Sequence, residues 1–305
     1  MLNTELTEGV FALDPMTLFA PMYASFLAAS GRIRPRRFRL AHPVERFKVI
    51  AHRGASHLAP ENTLASVELA WRLGADAVEV DVQLTQDRRI VAMHDPTTDR
   101  TAGVSLEVAA TDSSHLRRLD VGRHKHARFA GERIPYLEEV LHTVPPGRQL
   151  FVEIKCGPEI LPALHEAVVC SRKRSQVALI GFDLDTMKAA KKRMPEVPAY
   201  WLCDKRILAS YNCSLANKAR ACGVDGLDVH WSGLTRRFVR AVKAAGLRLY
   251  VWTVDDPAEA LRFQAMGIDG ITTNRPGWLT SQIASPGRIA GSRAGDGSDG
   301  RPACV

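Results

Sequence analysis

Apolar and polar positions change their spacing along the chain from residue 47 onward. Short apolar runs predict strands, and longer segments with a helical pattern lie between most of them. The predicted strands cover residues 47–52, 77–82, 150–155, 176–181, 198–202, 226–230, 247–252 and 269–273. The predicted helices cover residues 63–73, 160–170, 184–193, 214–221, 235–245 and 257–266. This alternation predicts a closed parallel α/β barrel, and an open doubly wound sheet is the alternative that periodicity does not exclude.

One segment interrupts the alternation. Only the short polar stretch 85–89 separates an apolar run at 78–84 from another at 90–94, and no helix fits between them. The two runs therefore predict an antiparallel hairpin whose second strand returns to the mouth of the barrel. Residues 96–149 have weak patterning and many polar side chains, which predicts a small insertion over the mouth before the barrel resumes at Leu150.

The chain divides into an N-terminal extension (residues 1–46), the barrel (47–283) and a tail (284–305). The tail is rich in Gly, Ser, Arg and Asp, a composition that predicts disorder. The extension is apolar over residues 10–30. Pro15 and Pro21 interrupt this stretch and disfavour a spanning helix, while Glu5 and Glu8 disfavour a signal peptide.

A basic segment follows the apolar part of the extension. Residues 31–48 carry seven Arg or Lys side chains against Glu45 alone. Two interpretations of residues 10–48 stay open: packing on the floor of the barrel, or peripheral contact with an anionic membrane. The formal net charge is +8 and most of the excess lies here, so a broad basic surface for nucleic acid is not predicted.

Composition adds two constraints. Hydrophobic residues make up 46% of the chain and charged residues 24%, which is typical of a globular protein with a sizeable core. The six cysteines form no CxxC pair and no zinc-site spacing. Reduced thiols in a cytoplasmic protein are therefore predicted, with membrane association as the alternative that residues 10–48 raise.

Carboxylates lie within two of the predicted barrel strands. Glu79 and Asp81 are two residues apart and share one face of a strand, as do Glu153 and Lys155 on the next barrel strand. Three carboxylates that point into one mouth repel each other without a cation, and oxygen ligands favour Mg²⁺ or Ca²⁺. The alternative, solvated alternation on an edge strand, is disfavoured because parallel barrel strands are buried on both faces.

Two histidines lie at predicted strand ends beside this cluster. His52 ends the first strand and His94 ends the returning strand of the hairpin. A pair of histidines can act as general base and general acid near neutral pH. Arg53 and Lys155 add positive charge for an anionic substrate.

These residues fall in an ordered series of motifs. The series is His52-Arg53-Gly54, Pro60-Glu61-Asn62-Thr63, Glu79-Val80-Asp81-Val82, His94-Asp95, Gly131-Glu132-Arg133-Ile134-Pro135 with Leu137-Glu138-Glu139, Glu153-Ile154-Lys155, Trp252, and Asp269-Gly270-Ile271-Thr272-Thr273-Asn274-Arg275-Pro276. It resembles the signature of the glycerophosphodiester phosphodiesterase family over roughly residues 47–280. The extension and the tail lie outside the resemblance.

The resemblance implies a TIM-type (β/α)8 barrel and metal-dependent hydrolysis of glycerophosphodiesters to sn-glycerol 3-phosphate and an alcohol. It assigns the site residues as follows: metal ligands Glu79, Asp81 and Glu153; acid/base pair His52 and His94; phosphate contacts Arg53 and Lys155; supporting residue Glu61; alcohol pocket Trp252. Barrel packing is the alternative for Trp252, and the position of Asn62 before Thr63 predicts a helix cap.

Three further alternatives concern the reaction. The nucleophile is either water or the glycerol 2-hydroxyl of the substrate, which would first give a cyclic phosphate. A lysophospholipase D-like or cyclising enzyme that acts on lysophospholipids is the second enzymatic interpretation. A non-catalytic glycerophosphodiester-binding protein is the third alternative, and the complete set of acid/base and carboxylate residues argues against it.

Overall fold

The computed structural model describes residues 46–204 and 211–284, and within them eight parallel strands close into a barrel. The strands of the barrel are β1 (Lys48–Ala51), β2 (Ala77–Leu84), β4 (Gln149–Ile154), β5 (Val177–Gly181), β6 (Ala199–Cys203), β7 (Gly226–His230), β8 (Arg248–Trp252) and β9 (Gly270–Thr273). β1 pairs with both β2 and β9, which closes the ring. The predicted TIM-type barrel is therefore confirmed, and the open-sheet alternative is wrong.

Helices surround this barrel and follow most of its strands. They are α1 (Leu64–Arg72), α2 (Asp99–Ala102), α3 (Ser113–Leu116), α4 (Leu137–Thr143), α5 (Leu161–Cys170), α6 (Leu184–Arg193), α7 (Cys213–Ala221), α8 (Arg236–Ala244), α9 (Pro257–Ala265) and α10 (Pro276–Ala284). Short polar side chains start several of them, because their oxygens accept hydrogen bonds from otherwise unpaired backbone N–H groups. Asp183 caps α6 in this way and Asp256 caps α9.

The interior of the barrel is filled with side chains. Its apolar layer consists of Ile50, Ala77, Phe151, Ala178, Ile180, Tyr200, Leu202 and Tyr250. The Phe151 ring centroid lies 5.8 Å from that of Tyr200 and 5.1 Å from that of Tyr250. This packed layer forms a floor beneath the carboxyl ends of the strands, where the charged residues lie.

The predicted hairpin is confirmed. β3 (Ile90–Ala92) runs antiparallel to β2, with Val82 opposite Ala92 and Leu84 opposite Ile90. The insertion that follows has its own small core, formed by Val91, Met93, Val108, Leu116, Val121 and Ile134. The buried residues of α4 instead join the main core, so the helical layer extends into the segment that the sequence assigns to the insertion.

The insertion packs on the loop between β1 and α1. Lys125 Nζ donates to the carbonyl oxygen of Ser56 over 2.7 Å, and Arg128 donates to that of Leu58 over 3.1 Å. Because the β1–α1 loop leaves the barrel at its carboxyl end, these contacts hold the insertion at the mouth, as predicted.

The predictions for the two ends of the chain, for the cysteines and for membrane-spanning helices have different outcomes. The extension up to residue 45 and the tail from residue 285 lie outside the described residues, as does Cys304. The five described cysteines are free thiols. Among the described residues, no helix is long and apolar enough to cross a membrane.

Candidate active site

Three carboxylates from two neighbouring strands converge at the mouth of the barrel. β2 and β4 pair in parallel with Asp81 opposite Glu153, and Glu79 lies two residues before Asp81 on the same face. One oxygen from each of the three side chains lies within 4.8 Å of the others. Their exposed fractions are 2% for Glu79, 0% for Asp81 and 8% for Glu153, so the predicted convergence is confirmed and the edge-strand alternative is wrong.

The carboxylate cluster has the oxygen ligands of a cation site, and two of its buried oxygens lack a hydrogen-bond partner among the described residues. Oε1 of Glu79 and Oδ1 of Asp81 are buried and have no hydrogen-bond partner in the described part of the chain. Burial and the neighbouring charge of Asp81 raise the pKa of Glu79 well above its usual range and that of Glu153 to about 7. Oxygen-only donors at this separation fit a hard divalent cation such as Mg²⁺ or Ca²⁺.

Arg53 contacts the cluster through its backbone and its side chain. Its backbone has a positive φ of 53°, an uncommon conformation for this residue type, and its N–H donates to Glu79 Oε2 over 2.9 Å. The guanidinium pairs with Glu61 over 2.9 Å and with Asp81 over 3.1 Å. Glu61, which the resemblance implies as a supporting residue, thus pairs with the same guanidinium that contacts Asp81.

Lys155 lies directly after β4 and pairs with two carboxylates of the cluster. Its Nζ atom lies 2.6 Å from Glu153 Oε1 and 3.5 Å from Asp81 Oδ1. Burial alone would raise the pKa of Asp81, but the charges of Arg53 and Lys155 lower it. One carboxylate of the three is therefore kept ionised by adjacent cations while Glu79 and Glu153 hold protons more readily.

The prediction that Asn62 caps the first helix is wrong. Thr63 is the cap of α1, and its hydroxyl accepts from the N–H of Ser66 over 3.3 Å. Asn62 instead turns toward β2: its Nδ2 donates to Asp81 Oδ2 over 2.8 Å, and its Oδ1 accepts from the Asp81 N–H over 3.1 Å. The side chain satisfies one oxygen of Asp81 and leaves the other toward the cluster.

His52 is held through one ring nitrogen. Its Nδ1 lies 2.7 Å from Asn274 Oδ1, and Asn274 Nδ2 donates to the Asp255 carboxylate over 2.7 Å. Because a carboxylate only accepts, the amide of Asn274 must present its oxygen to His52, so Nδ1 carries the proton. Burial and the charge of Arg53 lower the pKa of His52, which favours the neutral ring with a free lone pair on Nε2.

His94 is held in a parallel way. Its Nδ1 lies 2.7 Å from Oδ1 of Asp95, whose other oxygen accepts from Arg100. Arg100 also donates to Glu61, so the acidic partner of His94 is joined to the support of Arg53. The sequence analysis assigned no site role to Arg100 or Asn274, because the contacts of Arg100 with Glu61 and of Asn274 with His52 join segments that lie far apart along the chain.

Aromatic side chains form another part of the mouth. The Trp252 ring meets the Phe182 ring edge-on at 5.8 Å between centroids and the His230 ring at 5.0 Å, while His230 stacks on Trp231 at 5.8 Å. Phe182 and Trp231 are each 39% exposed. The sequence prediction named Trp252 alone; the shared signal of the other three is that each ends or directly follows a barrel strand.

Comparisons with known proteins agree on one family. The family model described as the glycerophosphoryl diester phosphodiesterase family matches residues 52–278. A relative named glycerophosphodiester phosphodiesterase, from Caldanaerobacter subterraneus subsp. tengcongensis, is 33% identical over 247 residues, which is 78% of this chain and 98% of that protein. A Bacillus subtilis protein with the same name is 28% identical over 250 residues, 76% of this chain and 85% of the relative.

Solved structures give the same picture. An Oleispira antarctica phosphodiesterase in complex with the product sn-glycerol-3-phosphate has a TM-score of 0.73 and 29% identity, and the match covers 78% of this chain and 97% of that one. A glycerophosphodiester phosphodiesterase from Thermotoga maritima has a TM-score of 0.66 and 26% identity, with 78% of this chain and 98% of that chain covered. The matches span nearly the whole length of these proteins.

Proposed function

The chain belongs to the glycerophosphoryl diester phosphodiesterase family, and from this premise we propose that it hydrolyses glycerophosphodiesters to sn-glycerol 3-phosphate and an alcohol with a divalent metal ion and two histidines. The enzyme class follows from the family. The observation that supports the finer proposal is the buried cluster of Glu79, Asp81 and Glu153, which is flanked by two cationic side chains. A cluster of this kind binds a cation and attracts a phosphate.

We assign the carboxylates of the cluster to a metal ion and the phosphate of the substrate to the basic side chains. Glu79, Asp81 and Glu153 would hold Mg²⁺ or Ca²⁺, which supplies a Lewis acid that offsets the charge developing on the phosphate. Arg53 pairs with Asp81, and Lys155 pairs with Glu153. We assign both basic side chains to the phosphate oxygens of the substrate, because they lie beside the carboxylates that would hold the metal ion.

The histidines supply the proton transfers. We assign the base to His52, since its neutral ring has a free lone pair on Nε2, and the acid to His94. His52 accepts the proton of the nucleophile as its oxygen bonds to phosphorus. The bond from phosphorus to the alcohol oxygen breaks, and His94 donates a proton to that oxygen. The same roles serve water or the glycerol 2-hydroxyl as the first nucleophile.

The alcohol half of the substrate needs a surface of its own. Trp252, Phe182 and Trp231 present aromatic surface at the mouth of the barrel. We assign the leaving alcohol to this aromatic wall, with Trp252 as its centre because its ring contacts both Phe182 and His230. Aromatic faces bind apolar groups and quaternary ammonium groups alike.

A turnover assay tests this proposal. Purified protein is incubated with glycerophosphocholine, glycerophosphoethanolamine, glycerophosphoglycerol or a lysophospholipid, and release of glycerol 3-phosphate or another phosphate product is measured. We expect activity that EDTA abolishes and that Mg²⁺ or Ca²⁺ restores. Asp81→Asn should remove it, whereas Glu138→Gln should not, because Glu138 is a half-exposed carboxylate that pairs with Arg89 outside the cluster.

Each alternative predicts a different result. Full activity in exhaustively demetallated protein would show that the carboxylates do not serve a metal. Binding of every glycerophosphodiester without turnover would favour the non-catalytic binding protein. Turnover of the lysophospholipid alone would favour the lysophospholipase D-like enzyme.

A further inference from the structure

The guanidinium of Arg100 lies between two carboxylates of the candidate site. Arg100 belongs to α2 in the insertion. Its two terminal nitrogens donate to the two oxygens of Glu61 over 2.9 and 2.7 Å. Its remaining nitrogen, Nε, donates to Asp95 Oδ2 over 2.5 Å. A planar fork with all three nitrogens engaged has a fixed orientation, so Glu61 aims the Nε–H group at Asp95.

Asp95 passes this constraint to His94. One Asp95 oxygen accepts from Arg100, and the other lies 2.7 Å from His94 Nδ1. The Asp95 side chain is 25% exposed and could otherwise rotate toward solvent. Because both oxygens are bonded, the carboxylate plane is fixed, and with it the ring of His94 and the direction of its Nε2 atom.

The ionised state of Glu61 and Asp95 stabilises their hydrogen bonds to Arg100; we call these contacts the Arg100 bridge. Burial raises the pKa of Glu61, but the hydrogen bonds and charge of Arg100, with the charge of Arg53, lower it to about 2. Hydrogen bonds from Arg100 and His94 lower the pKa of Asp95 against the effect of burial. Both carboxylates are therefore ionised near neutral pH, where the reaction is proposed to run.

Because Arg100 is partly exposed, its loss should affect the stability of the fold less than it affects activity. The side chain is 44% exposed, and α2 is a single turn of four residues outside the barrel. Ion pairs between exposed side chains usually contribute little to the stability of a fold. Loss of a residue that orients a reacting group costs about 10- to 100-fold in activity, by analogy with the outer partners of metal ligands.

We propose that Arg100 is a positioning residue that fixes the His94 ring through Asp95, with Glu61 as its anchor. The insertion thereby contributes to the proton transfer without contact with the substrate. The inference rests on the proposed function, in particular on His94 as the acid. It assigns Arg100 no direct contact with the phosphate.

The test compares two leaving groups in the full-length enzyme. Hydrolysis of glycerophosphocholine releases an alkoxide that must be protonated as it leaves. A glycerophosphodiester of 4-nitrophenol releases 4-nitrophenolate, which leaves without a proton. We expect Arg100→Ala to lower kcat for glycerophosphocholine by about tenfold or more, and for the nitrophenyl ester by less than about threefold. Arg100→Lys should behave like Arg100→Ala, because lysine retains the charge but lacks the fork.

Two controls complete the experiment. Arg174→Ala should leave both rates unchanged, since Arg174 is 46% exposed and pairs with Glu196 at 3.0 Å far from the mouth. Asp95→Asn should match Arg100→Ala, and the double variant should lose no more than either single variant. Asp95→Asn also tests the bridge independently of the folding of the Arg100 variants.

The outcomes separate the inference from the proposed function. Wild-type activity in Arg100→Lys, or equal losses on the two substrates, would overturn the positioning role while the proposed function stands. Absence of turnover by the wild-type enzyme would overturn both. Losses confined to glycerophosphocholine in Arg100→Ala, Arg100→Lys and Asp95→Asn support the inference.

Discussion

The Nδ1 atom of His52 lies 2.7 Å from Oδ1 of Asn274, although 222 positions separate the two residues. Asn274 is itself held at two points, because Asp255 accepts from its backbone N–H over 2.8 Å and from its side-chain amide over 2.7 Å. The orientation of this amide decides which nitrogen of His52 carries the proton. The residue that directly follows the last strand of the barrel therefore determines the tautomer of the residue that directly follows the first strand.

Asn274→Ala should lower kcat by about 10- to 100-fold, because His52 loses the bond that orients it. That bond raises the pKa of His52 against burial and the charge of Arg53. Its removal should move the acid limb of the kcat/KM profile to lower pH. Asn217→Ala, which replaces an exposed polar residue on α7, serves as control. A limb that moves to higher pH would contradict this account of the hydrogen bond.

His52→Ala and His94→Ala should each lower kcat for glycerophosphocholine by about 10²-fold or more, a typical general acid–base contribution. With a nitrophenyl ester as substrate, the kcat of His94→Ala should return close to that of the unmodified enzyme, because this leaving group needs no acid. The kcat of His52→Ala should stay low, because the base is still needed. His142→Ala on the exposed face of α4 is the control. Recovery by His52→Ala instead would reverse the two assignments.

Metal affinity should rise with pH through about 7, because burial and the charge of Asp81 raise the pKa of Glu153 to about 7 and a proton must leave before a cation binds. Below that pH the cluster holds a proton, so binding of Mg²⁺ or Ca²⁺ should release it. Calorimetry in two buffers of different ionisation enthalpy measures this release. An affinity for Mg²⁺ or Ca²⁺ that does not change with pH would refute the link.

Trp252→Ala should raise KM for glycerophosphocholine by up to about tenfold, which corresponds to about 1.4 kcal/mol of lost aromatic contact. Trp278→Ala is the matched control, because Trp278 is an exposed tryptophan on α10. If Trp252 serves barrel packing instead, its variant should melt at a lower temperature with KM unchanged. Parallel measurements of Tm and KM separate the two interpretations.

Deletion of residues 1–40 tests the two interpretations of the extension. If residues 10–48 contact a membrane, the full chain should bind anionic vesicles, the binding should fall steeply with salt, and deletion should abolish it. If they pack on the barrel, deletion should lower Tm or solubility without a change in vesicle binding. Co-sedimentation and thermal unfolding of both chains give the answer.

Local patterns in the sequence predicted the barrel and the carboxylate cluster. Alternation along β2 put Glu79 and Asp81 on one face, and parallel pairing with β4 brought Glu153 beside them. The strand ends were predicted less well: β1 ends at Ala51 and β4 at Ile154, one residue before His52 and Lys155. His52 and Lys155 lie directly after the last residue of their strands, at the carboxyl ends that face the mouth.

Long-range partners escaped prediction for a physical reason. Asn62 is a residue type that often caps helices, and it lies just before α1. Its backbone nevertheless has a φ of 56°, and its side-chain amide donates a hydrogen bond to Asp81 on β2. Arg100 meets Glu61 only because the insertion folds over the β1–α1 loop. Such contacts depend on where a fold places distant segments, and no local spacing encodes them.

Closure of the barrel between β1 and β9 has a consequence for biosynthesis. A ribosome delivers His52 early, but its partner Asn274 and the strand that completes the ring arrive 222 residues later. The contact that orients the base thus joins the two ends of the barrel sequence, and contacts this far apart along the chain form slowly. Every nascent or prematurely terminated chain that ends before β9 should therefore be catalytically silent, so the cell meets this activity only in molecules whose barrel is complete.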